Sequence, residues 1–539
     1  MRKTRTLATL LENYEASPEC LEPALAVAQA LAARDRIEDA MLCLDKVANA
    51  FPGAALPWSL RGDILAEAGR AEDAIFCYAR ALEREPGDAQ ACSRAGNLCQ
   101  NQGRCEEALQ YFLKLLQLRP FDADAYRGIA RALGERSGLL ERVRSLAEPH
   151  CHEAGLLAGI GWALFELGQY AESRNYFREC LQGAPRDKAA LLNLARAEDC
   201  AGNVASARVL FERGISVPEP LPDLARSFAE HLIRNGNIEE AKALYRSFVK
   251  RMPAASPDRE PPTWRGEPVR GKTVLIKNNA GLGDTIQFVR FAALLRELGA
   301  STIVECQPTL VELISTFREA DFVVAPYSPH PPADYSVESQ FIGLLLDWNW
   351  DSLNRYMPYL KAPVSGNGNS GLPSSSLRVG IAWYGNQLWR CDPNRYRSIP
   401  LADLAPLSKI PGVELFSLQF GAGAEQITAA PFRVHQLEAQ GFSATAASVQ
   451  SLDLVVSIDT AVAHLACAME KRCFIMLPFV ADWRWMAGRT DYPLYPSARL
   501  FRQSRPGVWA DVIAGVAAAV AQIAAERSTL GQPAAAPPS

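Results

Sequence analysis

From about residue 20 to residue 253, apolar positions recur with a helical period, and the whole pattern repeats every 34 residues. The stretch WSLRGDILAEAGRAEDAIFCYARALEREPGD overlays on CSRAGNLCQNQGRCEEALQYFLKLLQLRPFD. Pro52, Pro86 and Pro120 keep that spacing, as do Ala40, Ala74 and Ala108, the pair Gly62 and Gly96, and the pair Gly69 and Gly103. A second register follows at Gly168, Gly202 and Gly236, with Ala207 and Ala241 at the matching small position. Gly103 to Gly168 is 65 residues, three short of two repeats, so one repeat near 121–154 is shortened or irregular. The pattern predicts pairs of antiparallel helices. Small residues let the two helices approach, Gly closes the inner turn and Pro ends the second helix.

This repeat resembles that of the tetratricopeptide family, in which helix pairs of this length stack into a superhelix. No pair can bury its apolar face alone, so roughly seven pairs are expected to stack over 20–253, with a concave groove. A proline-rich polar stretch, 254–271, then reads as a linker. Beyond it the period changes to short β-branched runs at 272–278, 301–307 and 321–326, separated by helix-like stretches. That alternation predicts a parallel sheet with crossover helices. A Gly/Ser/Asn-rich segment at 363–376 reads as a second linker. Four more runs follow at 378–385, 413–419, 452–458 and 472–478. The expected organisation is an α superhelix (20–253), a first Rossmann-like α/β lobe (272–362), a second lobe (377–527) and a disordered tail (528–539). Two lobes joined by a flexible hinge imply a cleft between them.

Composition changes this picture little. A chain of 539 residues is too long for a single core, and 48% hydrophobic with 22% charged residues is ordinary for a globular protein. The net charge of −4 gives no electrostatic reason to expect nucleic acid. The 13 cysteines form no C-x-x-C pair or Cys/His cluster, so no metal site is expected and they read as core residues of a reducing compartment. The basic N-terminus is cut by Glu12 and Asn13 short of signal-peptide length, and no window holds the ~18 uncharged apolar residues of a spanning helix. A cytoplasmic protein without a membrane span is expected.

Candidate chemistry sits at strand-to-helix junctions. In NNAGLGDTIQFVR (278–290), Gly281 and Gly283 allow a tight turn and close approach of a ligand, and Asp284 falls where it could cap the helix or act on a ligand. In SIDTAVAHLACAM (457–469), Asp459 and Thr460 lie at the helix start, where amide and hydroxyl donors could meet a phosphate or sugar hydroxyls. His464 is a secondary candidate there, since a single helical His is more often packed than catalytic. The loop WYGNQLWRCDPNRYRSIP (383–400) carries Asn386, Gln387, Arg390, Arg395 and Arg397, and arginines suit bidentate phosphate contact; a solvated basic loop is the alternative. Aromatics of 477–497 line a pocket or cover the lobe's edge.

Taken together, GLGDTIQFVR, WYGN…RSIPLADLAPL, SLQFG, DLVVSIDTAVAHLACAM and LPFVADWRWMAGRTDYPLYPSARLF resemble the heptosyltransferase-related bacterial glycosyltransferases (family nine), which adopt the GT-B fold. Repeats fused to such a module also resemble the O-linked N-acetylglucosamine transferases, whose diphosphate-holding loop NQLWRCDP (386–393) is similar to. The resemblance implies inverting, metal-independent transfer from a nucleotide sugar, used as substrate with no cofactor. It implies Asp284 as the base for the acceptor. It implies a donor site at Asn386, Gln387, Arg390, Arg397, Gln419, Asp459 and Thr460, with Gly281, Gly283 and His464 secondary. Two departures stand out: the first lobe is short for a heptosyltransferase, and no lipopolysaccharide-recognition part is evident. The expectation is therefore transfer to Ser or Thr of a protein acceptor held by the repeats, with flagellin the first acceptor to test. The alternatives are a non-catalytic scaffold with a decayed GT-B module, and a glycan or lipid-core glycosyltransferase.

Overall fold

The computed structural model describes residues 21–530 apart from 33, 35, 120–121, 123–124, 126–127, 130–156, 159–160, 163, 166–168, 252–260, 279–280, 327, 364–375, 386–396 and 438–440. The chain forms two compact units, Met1–Glu219 and Pro220–Ser539.

The first unit is built of helix pairs. Helices α1 (Leu21–Ala32), α2 (Ile37–Ala50), α3 (Leu56–Glu67), α4 (Ala71–Arg84), α5 (Ala89–Asn101) and α6 (Cys105–Leu118) are followed by α7 (Tyr170–Gly183), α8 (Lys188–Cys200) and α9 (Val204–Ile215). The repeated glycines do two different jobs. Gly69, Gly103 and Gly202 turn the chain inside a pair at φ of 76°, 75° and 81°, a conformation an L side chain rarely adopts. Gly62 and Gly96 instead make room: a Cβ on either would lie 2.7 Å and 2.9 Å from the rings of Tyr78 and Phe112. Ala40, Ala74, Ala108 and Ala207 are fully buried at the small position of the second helix. Asp88 and Asp187 cap α5 and α8 by accepting amide hydrogens of the first turn. The irregular repeat at 121–154, and Gly168, fall largely or wholly outside the described residues. Inside α8, Glu198 is buried and bonded by Arg174, Arg178 and Asn203.

The second unit opens with one more helix pair, α10 (Pro222–Arg234) and α11 (Ile238–Arg251), bearing the same signature at Gly236 (φ 83°) and buried Ala241. From Pro261 the stretch expected to be linker is packed. Trp264 and Val269 are buried, and the Trp264 amide donates to Ser336 O at 2.8 Å, because two apolar anchors outweigh the local proline content.

The first lobe contains β1 (Thr273–Lys277), α12 (Leu282–Phe288), α13 (Phe291–Glu297), β2 (Ser301–Glu305), β3 (Phe322–Val324), β4 (Tyr335–Glu338) and α14 (Ser339–Leu345). Its sheet is wholly parallel in the order β3-β2-β1-β4. The second lobe contains β5 (Leu377–Ala382), β6 (Val413–Ser417), β7 (His435–Gln436), α15 (Gly441–Ser451), β8 (Leu454–Ile458), α16 (Ala461–Ala468), β9 (Cys473–Leu477), β10 (Ala498–Arg502) and α17 (Ala510–Leu530). Its parallel sheet runs β7-β6-β5-β8-β9-β10, the doubly wound order in which the chain reverses direction between its first and fourth strands. Helix α17 carries the chain to Leu530, past the expected start of the tail at 528; residues 531–539 lie outside the described ones. Among the described residues no helix is long and apolar enough to cross a membrane.

The lobes are not separated by an open cleft along their whole length. Phe288 and Val289 of the first and Val462, Leu465, Trp485 and Tyr495 of the second belong to one continuous core. Buried hydrogen bonds cross the same seam: Gln287 to the Tyr492 hydroxyl at 2.6 Å, Arg290 to Leu494 O at 2.5 Å, and the Tyr359 amide to Ala468 O at 3.1 Å. Arg290 is wholly buried and lies against the rings of Tyr359 and Tyr495. The expected hinge at 363–376 lies almost entirely outside the described residues.

Candidate functional site

Each sheet reverses its winding beside its first strand, so both lobes open a crevice at the carboxyl ends of those strands, where ligands of open α/β sheets bind. In the first lobe this point lies between β1 and β4, and the turn leaving β1 carries Gly281 and Asp284. In the second it lies between β5 and β8. There the loop leaving β5 begins at Trp383, and the turn leaving β8 carries Asp459 and Thr460. Helices α12 and α16, which follow β1 and β8, lie against each other.

The contact between them is made by Gly283. A Cβ there would lie 2.7 Å from His464 Cδ2 and 3.6 Å from Ala461 Cα, so this glycine serves the close crossing of two helices. Gly281 is the N-cap residue of α12, and Asp284 stands at its third position. The Asp284 Oδ2 atom accepts the Gly281 amide at 2.9 Å, the acidic half of a capping box. Its Oδ1 atom is ion-paired with Arg484. Both groups are mostly shielded, with 17% and 12% of their side chains exposed.

Arg484 comes from a short 3-10 turn, Trp483–Trp485, that follows β9. Its Nε donates to Asp482 Oδ1 at 2.9 Å, and its guanidinium lies 5.7 Å from the ring centres of both Phe288 and Trp483. Burial alone would lower its pKa, but the charges of Asp284, Asp482 and Asp459 outweigh it and hold the group protonated. Nothing in the sequence patterns singled this arginine out; the only signal was its place in the aromatic-rich stretch ADWRW.

Asp459 is buried, and burial raises its pKa, yet His464, Arg397 and Arg484 together bring it well below the usual carboxylate range. His464 Nε2 stands 3.7 Å from Asp459 Oδ1, a polar contact longer than a hydrogen bond. Its Nδ1 meets the Tyr495 hydroxyl at 3.2 Å and its ring stacks on Trp485 at 5.2 Å. Burial, helped by Arg484, lowers the His464 pKa, so the imidazole is neutral at neutral pH. Thr460 is the N-cap of α16, but its hydroxyl pairs with Ser457 Oγ at 2.9 Å instead of capping the helix. The donors of the first turn of α16 are thus left to other partners.

The structure brings Asp284, Asp459, Thr460, His464, Gly283 and Arg397 to one region. Arg397 lies close enough to Asp459 to lower its pKa and packs over Gly385. Gln419 accepts the amides of Trp383 and Tyr384 and donates to Tyr384 O, binding the backbone of the loop after β5. Asn386, Gln387 and Arg390, with Arg395, lie outside the described residues.

Family models described as tetratricopeptide repeat match residues 59–137 and 164–217. Protein FlbA of Caulobacter vibrioides is 25% identical over 433 residues, covering 73% of this chain and 72% of that protein. A match of that extent is longer than the repeat region and runs into the α/β module. Among solved structures, YrrB, described as a TPR protein with an unusual peptide-binding site, is 16% identical, with 41% of this chain and 98% of that one covered at a TM-score of 0.26. A tetratricopeptide repeat protein from Parabacteroides merdae is 18% identical, with 42% and 91% covered at 0.29. Both family matches fall within the helix-pair region. The N-terminal region is therefore made of tetratricopeptide repeats, and the C-terminal region is α/β with parallel sheets.

Proposed function

We propose that the chain is a glycosyltransferase of GT-B type whose repeats recruit a protein acceptor. The observation that carries this reading is the meeting of two strand-to-helix turns, one from each lobe. Asp284 and Asp459 stand at them with Arg484 and Arg397 between and beside them. A nucleotide sugar would bind chiefly at the β5/β8 crevice of the second lobe. The start of α16 and Arg397, with the loop at 386–396, would offer donors and positive charge to the diphosphate. The acceptor hydroxyl would enter from the first lobe. As its oxygen bonds to the anomeric carbon, its proton passes to the Asp284 carboxylate; the bond from that carbon to the diphosphate oxygen breaks, and its electron pair leaves on the diphosphate. No metal is needed for this sequence of events, because the charge on the leaving group is met by arginine and helix amides. Tetratricopeptide repeats supply the kind of extended surface on which polypeptides dock, which favours a protein acceptor over a free glycan.

The test is to incubate the full chain with a panel of UDP-, GDP-, ADP- and CMP-sugars and flagellin, and to follow the acceptor's mass. Asp284→Asn keeps a side chain able to accept the Gly281 amide, so folding should persist while transfer falls by ~10²-fold or more. A normally melting Asp284→Asn protein with full turnover would remove the assignment of Asp284 as base.

One observation favours a second reading, that of a non-catalytic repeat scaffold. Both carboxylate oxygens of Asp284 are engaged, one by the helix amide and one by Arg484. On that reading none of the nucleotide sugars is consumed, and calorimetry detects no nucleotide binding.

A further inference from the structure

We propose that Arg484 is a positioning residue for Asp284, aiming its carboxylate across the seam between the lobes, and that it acts through Asp284 and not on the sugar donor. The inference rests on the reading of Asp284 as the base.

Helix α12 is only seven residues long, and Asp284 in its first turn is held from within by the Gly281 cap and from outside by Arg484. One oxygen is tied to Gly281 and the other to a guanidinium belonging to the opposite lobe, so the plane of the carboxylate is held at both ends. Arg484 can do this because it is itself held on every side. Asp482 binds its Nε, and the rings of Phe288 and Trp483 flank its guanidinium. Its turn is pinned by Arg502, which donates to Trp485 O at 3.2 Å and Met486 O at 2.8 Å. The Ala487 amide, one residue beyond Met486 at φ 50°, donates to Arg234 O at the end of α10 at 2.7 Å. Arg484 is therefore a junction between the first lobe, the second lobe and the helix pair that opens this unit.

The charge surroundings decide against a direct role on the donor. Asp284 and Asp482 contact the guanidinium and Asp459 lies near enough to act on it, so three carboxylates surround one cation. Little positive potential is left to attract a diphosphate. Arg397, beside Asp459, is the described cation better placed for that task. A plain packing role fits the ion pair poorly as well, because apolar residues fill such a seam at least as favourably as a shielded ion pair does.

The experiment compares Asp284→Asn, Arg484→Gln, Arg484→Lys and the double variant Asp284→Asn/Arg484→Gln in the full chain. It reads kcat, KM for the donor, melting temperature and calorimetric binding of UDP, GDP and ADP. Misplacing a reacting group by about an ångström costs ~10²-fold. Arg484→Gln should therefore lose ~10–100-fold in kcat, with donor KM and diphosphate affinity unchanged. Arg484→Lys, which keeps the charge but not the planar fork, should recover part of the loss. The double variant should be no slower than Asp284→Asn alone, since a residue acting through another adds nothing once that one is gone. Losses that multiply in the double variant, or a tenfold weaker diphosphate in Arg484→Gln, would overturn the proposal and make Arg484 a donor contact. Should Arg484→Gln fail to fold, Arg484→Lys decides: unchanged kcat overturns the proposal, and a lowered kcat with normal diphosphate binding upholds it. An Asp284→Asn protein with full turnover defeats the underlying base assignment instead, whatever Arg484 does.

Discussion

A single missing atom at Gly283 sets how closely the two lobes meet. Replacing it by Ala would press a Cβ to 2.7 Å from the ring of His464, which is buried, stacked on Trp485 and unable to move aside. Gly283→Ala should therefore destabilise the second unit by ~1–3 kcal/mol, the cost of overpacking a tight core, and be read as a lower melting temperature. Gly281→Ala, whose Cβ would meet only Asp284 Oδ2 at 3.2 Å, is the control and should cost less than half as much. In the repeats the comparable residue is Glu198. Burial raises its pKa, but Asn203, Arg174 and Arg178 more than reverse this, so the folded value lies below the unfolded one of ~4.3. A depressed carboxyl pKa contributes stability above the unfolded value and loses it as pH falls through the folded value. Glu198→Gln should thus cost ~1–3 kcal/mol at pH 7, and the gap to the wild type should close as pH is lowered below about 4 in chemical-denaturation curves. A gap that stays constant with pH would mean the charge of Glu198 is irrelevant.

At the scale of elements, the helix pair α10/α11 has repeat sequence but lobe packing. Tyr245 stacks on Phe341 with ring centres 5.3 Å apart, and Arg246 donates to Leu346 O. Lys242, fully buried, donates to Trp348 O and to Glu239 at 2.7 Å each and lies 4.7 Å from the Trp348 ring centre. Methionine at this position would fill the same space but leave the Trp348 carbonyl without its donor. Lys242→Met is expected to lower the stability of the second unit by ~1–3 kcal/mol. Hydrogen exchange should show the loss in α11 and around Trp348 and leave helices α1 to α6 unaffected. Similar exchange throughout both units would show that the pair does not belong to the lobe.

For the whole molecule, the division into compact units at Glu219 and Pro220 changes where the chain can be cut. A fragment beginning at Pro220 keeps α10, α11, Trp264 and Val269 and should fold on its own, with a single cooperative transition. One beginning at Gly271 loses the cover over Phe341 and Trp348 and the two buried anchors ahead of β1, so it should melt far lower or fail to fold. If the proposed function holds, the Pro220 fragment binds nucleoside diphosphates as the full chain does but transfers poorly to a protein acceptor. Equal melting of the two fragments would place the boundary at the proline-rich stretch instead.

The sequence by itself determined the helix pairs, their period and the seven β-branched strands, because each rests on local patterns: Gly and Ala at fixed offsets, β-branched runs between turns. The strands it did not reveal are β4, β7 and β10, which are short or mix charged with apolar residues and owe their conformation to a neighbouring strand. The same limit governs the site. Asp284 and Asp459 were legible because each follows a strand and opens a helix, a purely local signature. That Asp284 is tied to an arginine 200 residues later could not be read, because the aromatic-rich stretch around Arg484 marks its neighbourhood but names no partner. Gln419, brought forward only by the resemblance, also braces the backbone of the loop after β5, a contact that no local pattern announces. Packing of α10 and α11 on the first lobe, and the continuous core across the seam, were likewise decided only by tertiary structure. Complementary surfaces, unlike periods, are properties of two segments at once.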